Sequence, residues 1–364
     1  MADTIFTTSN ALTWKLYSRE LFVEAKKRCV VMKFVGRDSS SMIQMLDETQ
    51  KHPGDQITYG LRMQMTGDGI AGESILDGNE EALVFYSDQL KIDQMRWGVR
   101  INGNMTQQRV AYNLREQAKS GLADWISSRF DTVFFNTLCG NTGVTRNPSN
   151  LYSGFNSLVA PTSTHQIYAG TATSEATLTS SMVFTLPMLN QAVYLAKTLT
   201  PAIRPIKLKG GEYYVAFLHP LQVKALRNST SSNDWNAIYQ SAIQGGAINN
   251  NPIFTGAIGM YNGVILHEDA RVCYGDNTQN TLGTDLGAAA TGTTSVARAL
   301  FCGAQSGVIG FGRGYDWPHK FKWVEDTKDY ENQVGIAIGT VYGMKKSVFN
   351  STDFATIVMS TWAA

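Results

Sequence analysis

A regular alternation of side chains near residues 54–102 is the feature that most constrains what this chain can fold into. The odd positions from 57 to 65 are all apolar or aromatic: Ile57, Tyr59, Leu61, Met63 and Met65. The positions between them carry threonine, glycine, arginine and glutamine. Successive side chains of a β-strand point to opposite faces, so this pattern predicts a strand with one apolar face. The stretch 90–101 alternates in the same way, with a phase slip at Asp93 and Gln94 that predicts a β-bulge.

These two stretches predict one long hairpin over residues 54–102, with a glycine- and acid-rich tip over 67–81. A two-stranded ribbon is at best marginally stable alone in water, so its apolar face needs a surface to lie on. We expect that surface to belong to another subunit. The expected intersubunit contacts come from both strands: Ile57, Tyr59, Leu61, Met63, Met65 and Trp97.

The remaining patterns predict an α+β protein. Apolar residues at spacings of three and four predict one amphipathic helix over 105–139, roughly 50 Å long, with Gly140 as its stop. Residues 1–50 are typical of an arm with helical content, including a short helix near 39–49. Further helices are predicted over 186–198 and 220–227. Strands are predicted over 213–218, 263–266, 299–301, 334–344 and 356–361.

Composition narrows the class of protein. A length of 364 residues favours about two domains. Lys and Arg number 31 and Asp and Glu number 30, and this balance argues against a dedicated nucleic-acid binder, which usually has a basic excess. No apolar stretch reaches the roughly 18 residues of a membrane span, and the start lacks the blocks of a signal peptide. We therefore expect no membrane partner.

Two motifs invite a chemical interpretation. Residues 67–72 read GDGIAG and match the dinucleotide fingerprint, but that site needs a helix after the glycines, and here a second strand follows. Turn residues at a hairpin tip explain the glycines better. His267, Glu268 and Asp269 suggest a metal or acid–base site, with a surface turn as the alternative. We expect no catalytic, cofactor-binding or metal-binding residue, no cofactor, and no enzymatic activity.

The order of these parts resembles the Hong Kong 97 type of tailed-phage capsid fold. The sequences of residues 54–65, 78–88 and 105–125 are similar to those of the branch of this family typified by phage N-four. The resemblance implies an N-terminal arm over 1–50 and an extended hairpin, the E-loop, over 51–104. It also implies a spine helix and peripheral domain over 105–181, an axial domain over 182–312, and a return to the peripheral domain over 313–364.

The resemblance further implies a major capsid protein. Its copies would form hexamers and pentamers of an icosahedral shell that encloses double-stranded DNA without sequence-specific binding. The expected location is the virion capsid, assembled in the host bacterial cytoplasm, with scaffold, portal and decoration proteins as further partner classes. One alternative is an encapsulin-like nanocompartment shell, which a cargo-peptide groove would distinguish. A distant alternative is a nucleotide-binding enzyme built on residues 67–72.

The cysteines provide a first test. Cys29, Cys139, Cys273 and Cys302 are scattered without a CxxC pair, which is typical of buried thiols in a reducing compartment. We expect all four to be reduced, with no disulfide between subunits. Non-reducing gels of assembled particles should show a single-subunit band whether or not reductant is added. A ladder of linked subunits that disappears with reductant would contradict this expectation.

Overall fold

The fold is known from a computed structural model that describes residues 29–46, 54–62, 67–82, 85–111, 113–142, 152–208, 211–228, 257–275, 295–313, 320–330 and 332–363. The helical content predicted before residue 29 lies outside these ranges. The short helix predicted near 39–49 is wrong in its described part, where Ile43–Leu46 forms a strand. This segment is extended because it pairs in parallel with two other strands, which local sequence does not reveal.

The described residues contain 18 strands and four α-helices. The strands are β1 (Val35–Gly36), β2 (Ile43–Leu46), β3 (Gln56–Arg62), β4 (Phe85–Lys91), β5 (Asp93–Ile101), β6 (Gln166–Tyr168), β7 (Ile206–Leu208), β8 (Gly211–Leu218), β9 (Ala257–Tyr261), β10 (Val264–Glu268), β11 (Tyr274–Gly275), β12 (Val296–Cys302), β13 (Gly307–Phe311), β14 (Phe321–Lys328), β15 (Gln333–Lys346), β16 (Val348–Phe349), β17 (Thr352–Asp353) and β18 (Thr356–Trp362). The helices are α1 (Asn104–Gln108), α2 (Leu114–Leu138), α3 (Leu186–Thr198) and α4 (Pro220–Asn228).

Two mixed sheets hold most of these strands. The six-stranded sheet has the order β1-β2-β13-β15-β14, and β5 also pairs with β15. The eight-stranded sheet has the order β6-β18-β12-β8-β10-β9, with β11 on β12 and β7 on β8. Both sheets combine strands from distant parts of the chain, so the six-stranded sheet is complete only with β15 and the eight-stranded sheet only with β18. The predicted α+β class is confirmed.

The helix α2 lies between the two sheets and fills the core on both sides. Phe130 contacts the six-stranded sheet, with its ring centroid 4.6 Å from that of Tyr342. One turn later, Phe134 and Phe135 lie 5.6 and 5.5 Å from Phe217 in the eight-stranded sheet. All three phenylalanines are at most 2% exposed. Burial of each such side chain contributes about 1.5–3 kcal/mol, which makes this helix the main link between the sheets.

The prediction of one continuous helix over 105–139 is wrong. The chain forms the short α1 and then starts again at α2, where the Asn113 side chain accepts a hydrogen bond from Arg115 N at 3.0 Å. Leu114 N also donates to Gln107 Oε1, so polar side chains stabilise a new helix start. The 25 residues of α2 span about 37 Å rather than 50 Å. Gly140 has a φ of +62°, which confirms the predicted stop.

The other predicted helices and strands are confirmed with small shifts of their ends. Helix α3 covers the predicted residues, and Pro187 lies in its first turn. All four cysteines are buried, as expected, and none is in a disulfide. Among the helices of the described ranges, none has the length and apolar character to cross a bilayer.

A buried ion pair ties the end of α2 to the eight-stranded sheet. Arg298 Nε lies 2.6 Å from Glu175 Oε1, and both side chains are under 10% exposed. Ser360 donates to the same carboxylate oxygen at 2.7 Å. The arginine also donates to the carbonyl oxygens of Cys139 and Gly140, just after the helix. These bonds satisfy charges that would otherwise be costly to bury.

The buried pair should therefore matter far more than an exposed one. We expect Glu175→Ala to lower the free energy of unfolding by about 3–5 kcal/mol, because it leaves Arg298 buried without its carboxylate. The matched control is Glu212→Ala, whose partner Lys207 lies 3.8 Å away on the surface. That control should cost less than about 1 kcal/mol. Urea unfolding of the unassembled subunit measures both, and equal losses would contradict the argument.

Candidate functional site at the base of the hairpin

The hairpin strands β3 and β4 pair antiparallel from Gln56 opposite Lys91 to Arg62 opposite Phe85. After Ile92 the return strand leaves this ribbon, and β5 pairs with β15 of the six-stranded sheet. The predicted ribbon over 54–102 is therefore too long. The phase slip near Asp93 marks a change of sheet rather than the predicted bulge in the hairpin. The alternation shifts there because β4 pairs with β3 whereas β5 pairs with β15, so the apolar side chains of β4 and β5 pack on different surfaces.

The lower part of the ribbon packs on its own subunit. Ile57 is 3% exposed and Leu90 is fully buried. Both lie over Gly310 in β13, where a Cβ atom would come within 2.7 Å of each side chain. Gly310 thus provides the room for this contact. The structure corrects the prediction at Ile57, because its surface is covered within the subunit and not by a neighbour.

Tyr59 is also held inside the subunit. It is 6% exposed, and its hydroxyl donates to Asp88 Oδ2 on the opposite strand at 2.9 Å. The ammonium of Lys345 in β15 binds the other oxygen of Asp88. Burial raises the pKa of the Tyr59 hydroxyl, and the Asp88 carboxylate raises it further, so the phenol stays protonated and donates. The prediction of an intersubunit contact is corrected here too.

Asn156 clamps the point at which the return strand changes sheet. Its Oδ1 accepts from Lys91 N at 2.9 Å, and its Nδ2 donates to Lys91 O at 3.0 Å. The same amide nitrogen lies 2.8 Å from Gly154 O and 3.2 Å from Met344 O. A side-chain amide thus satisfies the backbone of Lys91 as a neighbouring strand would. This fixes the direction in which the ribbon leaves the body.

The strand approaches β15 very closely beside this clamp. A Cβ atom at Gly343 would lie 2.0 Å from Lys91 O, so only glycine permits the crossing. An open groove of about 730 Å³ lies beside the ribbon base. Its lining is mainly polar and includes Asp55, Asp88, Lys91, Phe155, Ser157 and Lys345.

The other predicted contact residues divide into two groups. Trp97 lies on β5 and not on the ribbon, where its ring stacks on Trp125 of α2 at 5.5 Å and it remains 55% exposed. The prediction that Trp97 lies on the hairpin is therefore wrong. Because its side chain is exposed, its contact with a neighbouring subunit stays a prediction. The side chain of Leu61, together with Met63 and Met65, lies outside the described residues. Their contact with a neighbouring subunit stays a prediction.

The two motifs that invited a chemical interpretation, residues 67–72 and 267–269, make ordinary structural contacts. The residues GDGIAG and those after them, over 67–82, form an exposed loop without a helix, so the geometry of a dinucleotide site is not met. Gly67 N instead donates to Glu81 Oε2 at 2.7 Å across the loop. His267 is 4% exposed and packs edge-on against Phe34. Asp269 binds Arg271 at 3.0 Å, and the described residues hold no cluster of three metal-binding side chains.

A family model described as phage capsid protein matches residues 5–364. The chain belongs to the phage capsid protein family. The major capsid protein of Pseudomonas phage KPP25 is 30% identical to it over 370 residues, which cover 94% of this chain and 93% of that one. The prediction of a phage major capsid protein is therefore confirmed, and it prevails over the encapsulin-like and enzyme alternatives.

Solved structures of phage capsids agree with the assignment of this chain to the capsid protein family. The capsid of Ralstonia phage GP4 has a TM-score of 0.80 and 30% identity, with 91% of this chain and 90% of that one covered. The cyanophage Pam1 capsid shares the fold at 18% identity, with a TM-score of 0.66 and all of both chains covered. The head of Helicobacter pylori phage KHP40 does so at 12% identity, a TM-score of 0.64, and coverage of 93% and 91%. The predicted Hong Kong 97 type of fold is confirmed.

Sequence reasoning missed the polar residues that anchor the hairpin of this capsid protein. Asn156 lies in a glycine- and serine-containing loop, and no local pattern connects it with Lys91. Lys345 and Asp88 are far apart in sequence, and nothing in their local sequence distinguishes them from other charged residues on strands. The glycines at 310 and 343 are the only sequence signal, since glycine within a strand often marks a close approach of another backbone.

The clamp yields a second test of stability. Asn156→Ala leaves both backbone groups of Lys91 without their side-chain partner, and an unpaired group in this partly buried position costs about 1–3 kcal/mol. We expect a loss of that size in urea unfolding and faster amide exchange over residues 88–93. The control is Ser157→Ala, which changes an exposed neighbour in the same groove. If Asn156→Ala unfolds like the control and exchange is unchanged, the clamp is not what fixes the strand.

Proposed function

We propose that this capsid protein assembles as hexamers and pentamers of an icosahedral shell enclosing double-stranded DNA. The observation that carries the proposal is the family match over nearly the whole chain, residues 5–364. The projecting hairpin supports it, because a two-stranded ribbon that leaves the body needs further contacts. A net charge of +1 fits DNA that is enclosed rather than recognised by sequence.

We assign the six-stranded sheet with α2 to the peripheral domain, and the eight-stranded sheet with α3 and α4 to the axial domain. This division differs from the sequence-based boundaries of the peripheral and axial parts at three strands. One is β13, which lies in the predicted axial range 182–312 but pairs in the six-stranded sheet. Both β6 and β18 pair in the eight-stranded sheet, although residues 105–181 and 313–364 were assigned to the spine and peripheral parts. The reason is that the chain crosses between the sheets more often than its linear order indicates.

The role we propose is structural and not catalytic. The residues that invited a chemical interpretation have other partners, since His267 packs on Phe34 and Asp269 binds Arg271. Burial of four unpaired cysteines supports assembly in the bacterial cytoplasm and a final place in the virion. Scaffold, portal and decoration proteins are the further partner classes of such a shell.

The outer half of the hairpin tests the assembly role. Leu61→Asp with Met63→Asp places charge on the face expected to rest on a neighbour, where desolvating an unpaired charge is costly. We expect a folded subunit with near-wild-type unfolding but no closed shells in light scattering and electron micrographs. The control, Thr58→Asp with Gln64→Asp, adds two charges on the opposite face and should still assemble.

Two other results of this experiment would argue against the role. If the Leu61→Asp and Met63→Asp subunit unfolds, the apolar face packs on its own chain beyond Tyr59 as well. If it forms normal shells, that face is open to solvent in the particle. Wild-type protein that stays monomeric at every concentration would contradict the proposed assembly itself.

A further inference from the structure

One lysine and one aspartate are buried against each other where the chain passes from one sheet to the other. Lys346 is the last residue of β15 in the six-stranded sheet, and Asp353 ends β17, shortly before β18 of the eight-stranded sheet. Lys346 Nζ lies 2.6 Å from Asp353 Oδ1, and the two side chains are only 2% and 1% exposed. This pair is therefore shielded from water even more completely than Arg298 and Glu175.

The two oxygens of the Asp353 carboxylate have different surroundings. Oδ2 accepts a hydrogen bond from the backbone N–H of Thr162 at 3.3 Å. Oδ1 has the ammonium of Lys346 beside it, and no other donor among the described residues binds it. The ammonium in turn donates to the carbonyl oxygen of Val159 at 3.1 Å. One carboxylate oxygen is thus held by the backbone, and the other is held by the lysine alone.

An amide between these two side chains would keep the same neighbours without any buried charge. Its N–H would donate to Val159 O, as the ammonium does. Its carbonyl oxygen, the former Oδ2 of Asp353, would accept from Thr162 N, as the carboxylate does. Two charges are costly to bury, whereas an amide with both hydrogen bonds made is neutral and satisfied. The surroundings therefore suit the amide better than the ion pair.

We propose that Lys346 and Asp353 of the same chain join in an intramolecular isopeptide bond. The nitrogen of Lys346 attacks Cγ of Asp353, the new C–N bond forms, and the bond between Cγ and Oδ1 breaks. Two protons of the ammonium move to Oδ1, which leaves as water, and the third stays on the amide nitrogen. The charges of the ammonium and the carboxylate cancel, so the step consumes no oxidant, cofactor or added proton.

Burial favours the neutral amine that performs this attack. It lowers the pKa of Lys346, and the Asp353 carboxylate opposes that change. A proton that passes from Nζ to the adjacent Oδ1 turns the ion pair into an amine and a carboxylic acid, which are the reactive forms of the two groups. The short contact between Nζ and Oδ1 also holds the nitrogen close to Cγ, so the reacting atoms are already positioned.

The bond closes one of the connections between the two sheets. Residues 347–352 lie between its ends, and Phe354 N donates to Ser347 O at 3.1 Å. This loop adjoins a second crossing, residues 303–306 between β12 and β13, where Ser306 O accepts from Ser347 N at 3.2 Å. With the side chains joined, a force that separates β15 from β18 bypasses the loop. The isopeptide bond thus stabilises the link between the sheets within each subunit.

Mass spectrometry of the folded protein tests the bond, because its formation releases water. Trypsin should fail to cleave after Lys346 in most chains and should release residues 346–364 as one peptide that lacks one water. The variant Lys346→Arg keeps the positive charge without the amine, and it should have full mass and cleave after residue 346. The internal control is Lys345 with Asp88, which are 2.5 Å apart but 20% and 19% exposed and should stay unlinked.

Cleavage inside the loop locates the bond. Chymotrypsin cuts after Phe349 in the unfolded chain, and the two pieces should remain joined because Lys346 and Asp353 are linked across the cut. A peptide of residues 347–364 with full mass as the main tryptic product would overturn the proposal, and so would a loss of water in pieces that separate at Phe349. Either result leaves the proposed shell function intact, whereas failure of wild-type protein to form particles removes that function without affecting the bond.

Discussion

Burial of one helix between two sheets is the interaction on which the rest of this structure depends. Phe130 of α2 fits among Phe311, Phe321 and Tyr342, and one turn later the helix presents Phe134 and Phe135 to the other sheet. The six-stranded sheet collects strands from residues 35–46, 93–101 and 307–346. These segments are distant in sequence, and the helix gives them a common apolar surface. Without it, neither sheet would have its inner face covered.

Buried charges then restrict the paths by which the chain crosses this core. Asp131 of α2 is fully buried and accepts from Cys29 Sγ at 2.9 Å and Val31 N at 3.0 Å, with Arg271 at 2.6 Å. Burial raises the pKa of Asp131, and the nearby Arg271 opposes that rise. The carboxylate thus fixes the position of residues 29–31 against α2. Because a buried charge without a partner is costly, each pair selects one arrangement of the segments it joins.

The hairpin divides into an anchored base and an exposed outer part. Ile57, Tyr59 and the Asn156 clamp hold the base within its own subunit, so the ribbon leaves the body in a fixed direction. The tip, by contrast, has exposed Ile75 and Leu76 among acidic residues. A rigid base reduces the conformational entropy lost when the tip binds, which favours association with a neighbour. The base of the hairpin thereby contributes to the stability of the subunit, and its outer part is left for assembly of the shell.

The amino-acid sequence by itself determined the local elements and the family. Alternation predicted β3 and the return strand, spacings of three and four predicted α2, and the sequence of residues 54–125 indicated a capsid protein. Only the tertiary structure decided that the return strand changes sheet at Ile92, that Trp97 stacks on Trp125, and that Asn156 holds Lys91. Periodicity predicts which face of a strand is apolar, because the face depends only on the alternation of residues that are neighbours in sequence. What covers the face depends on strands such as β15, which lie hundreds of residues away and leave no mark on the local pattern.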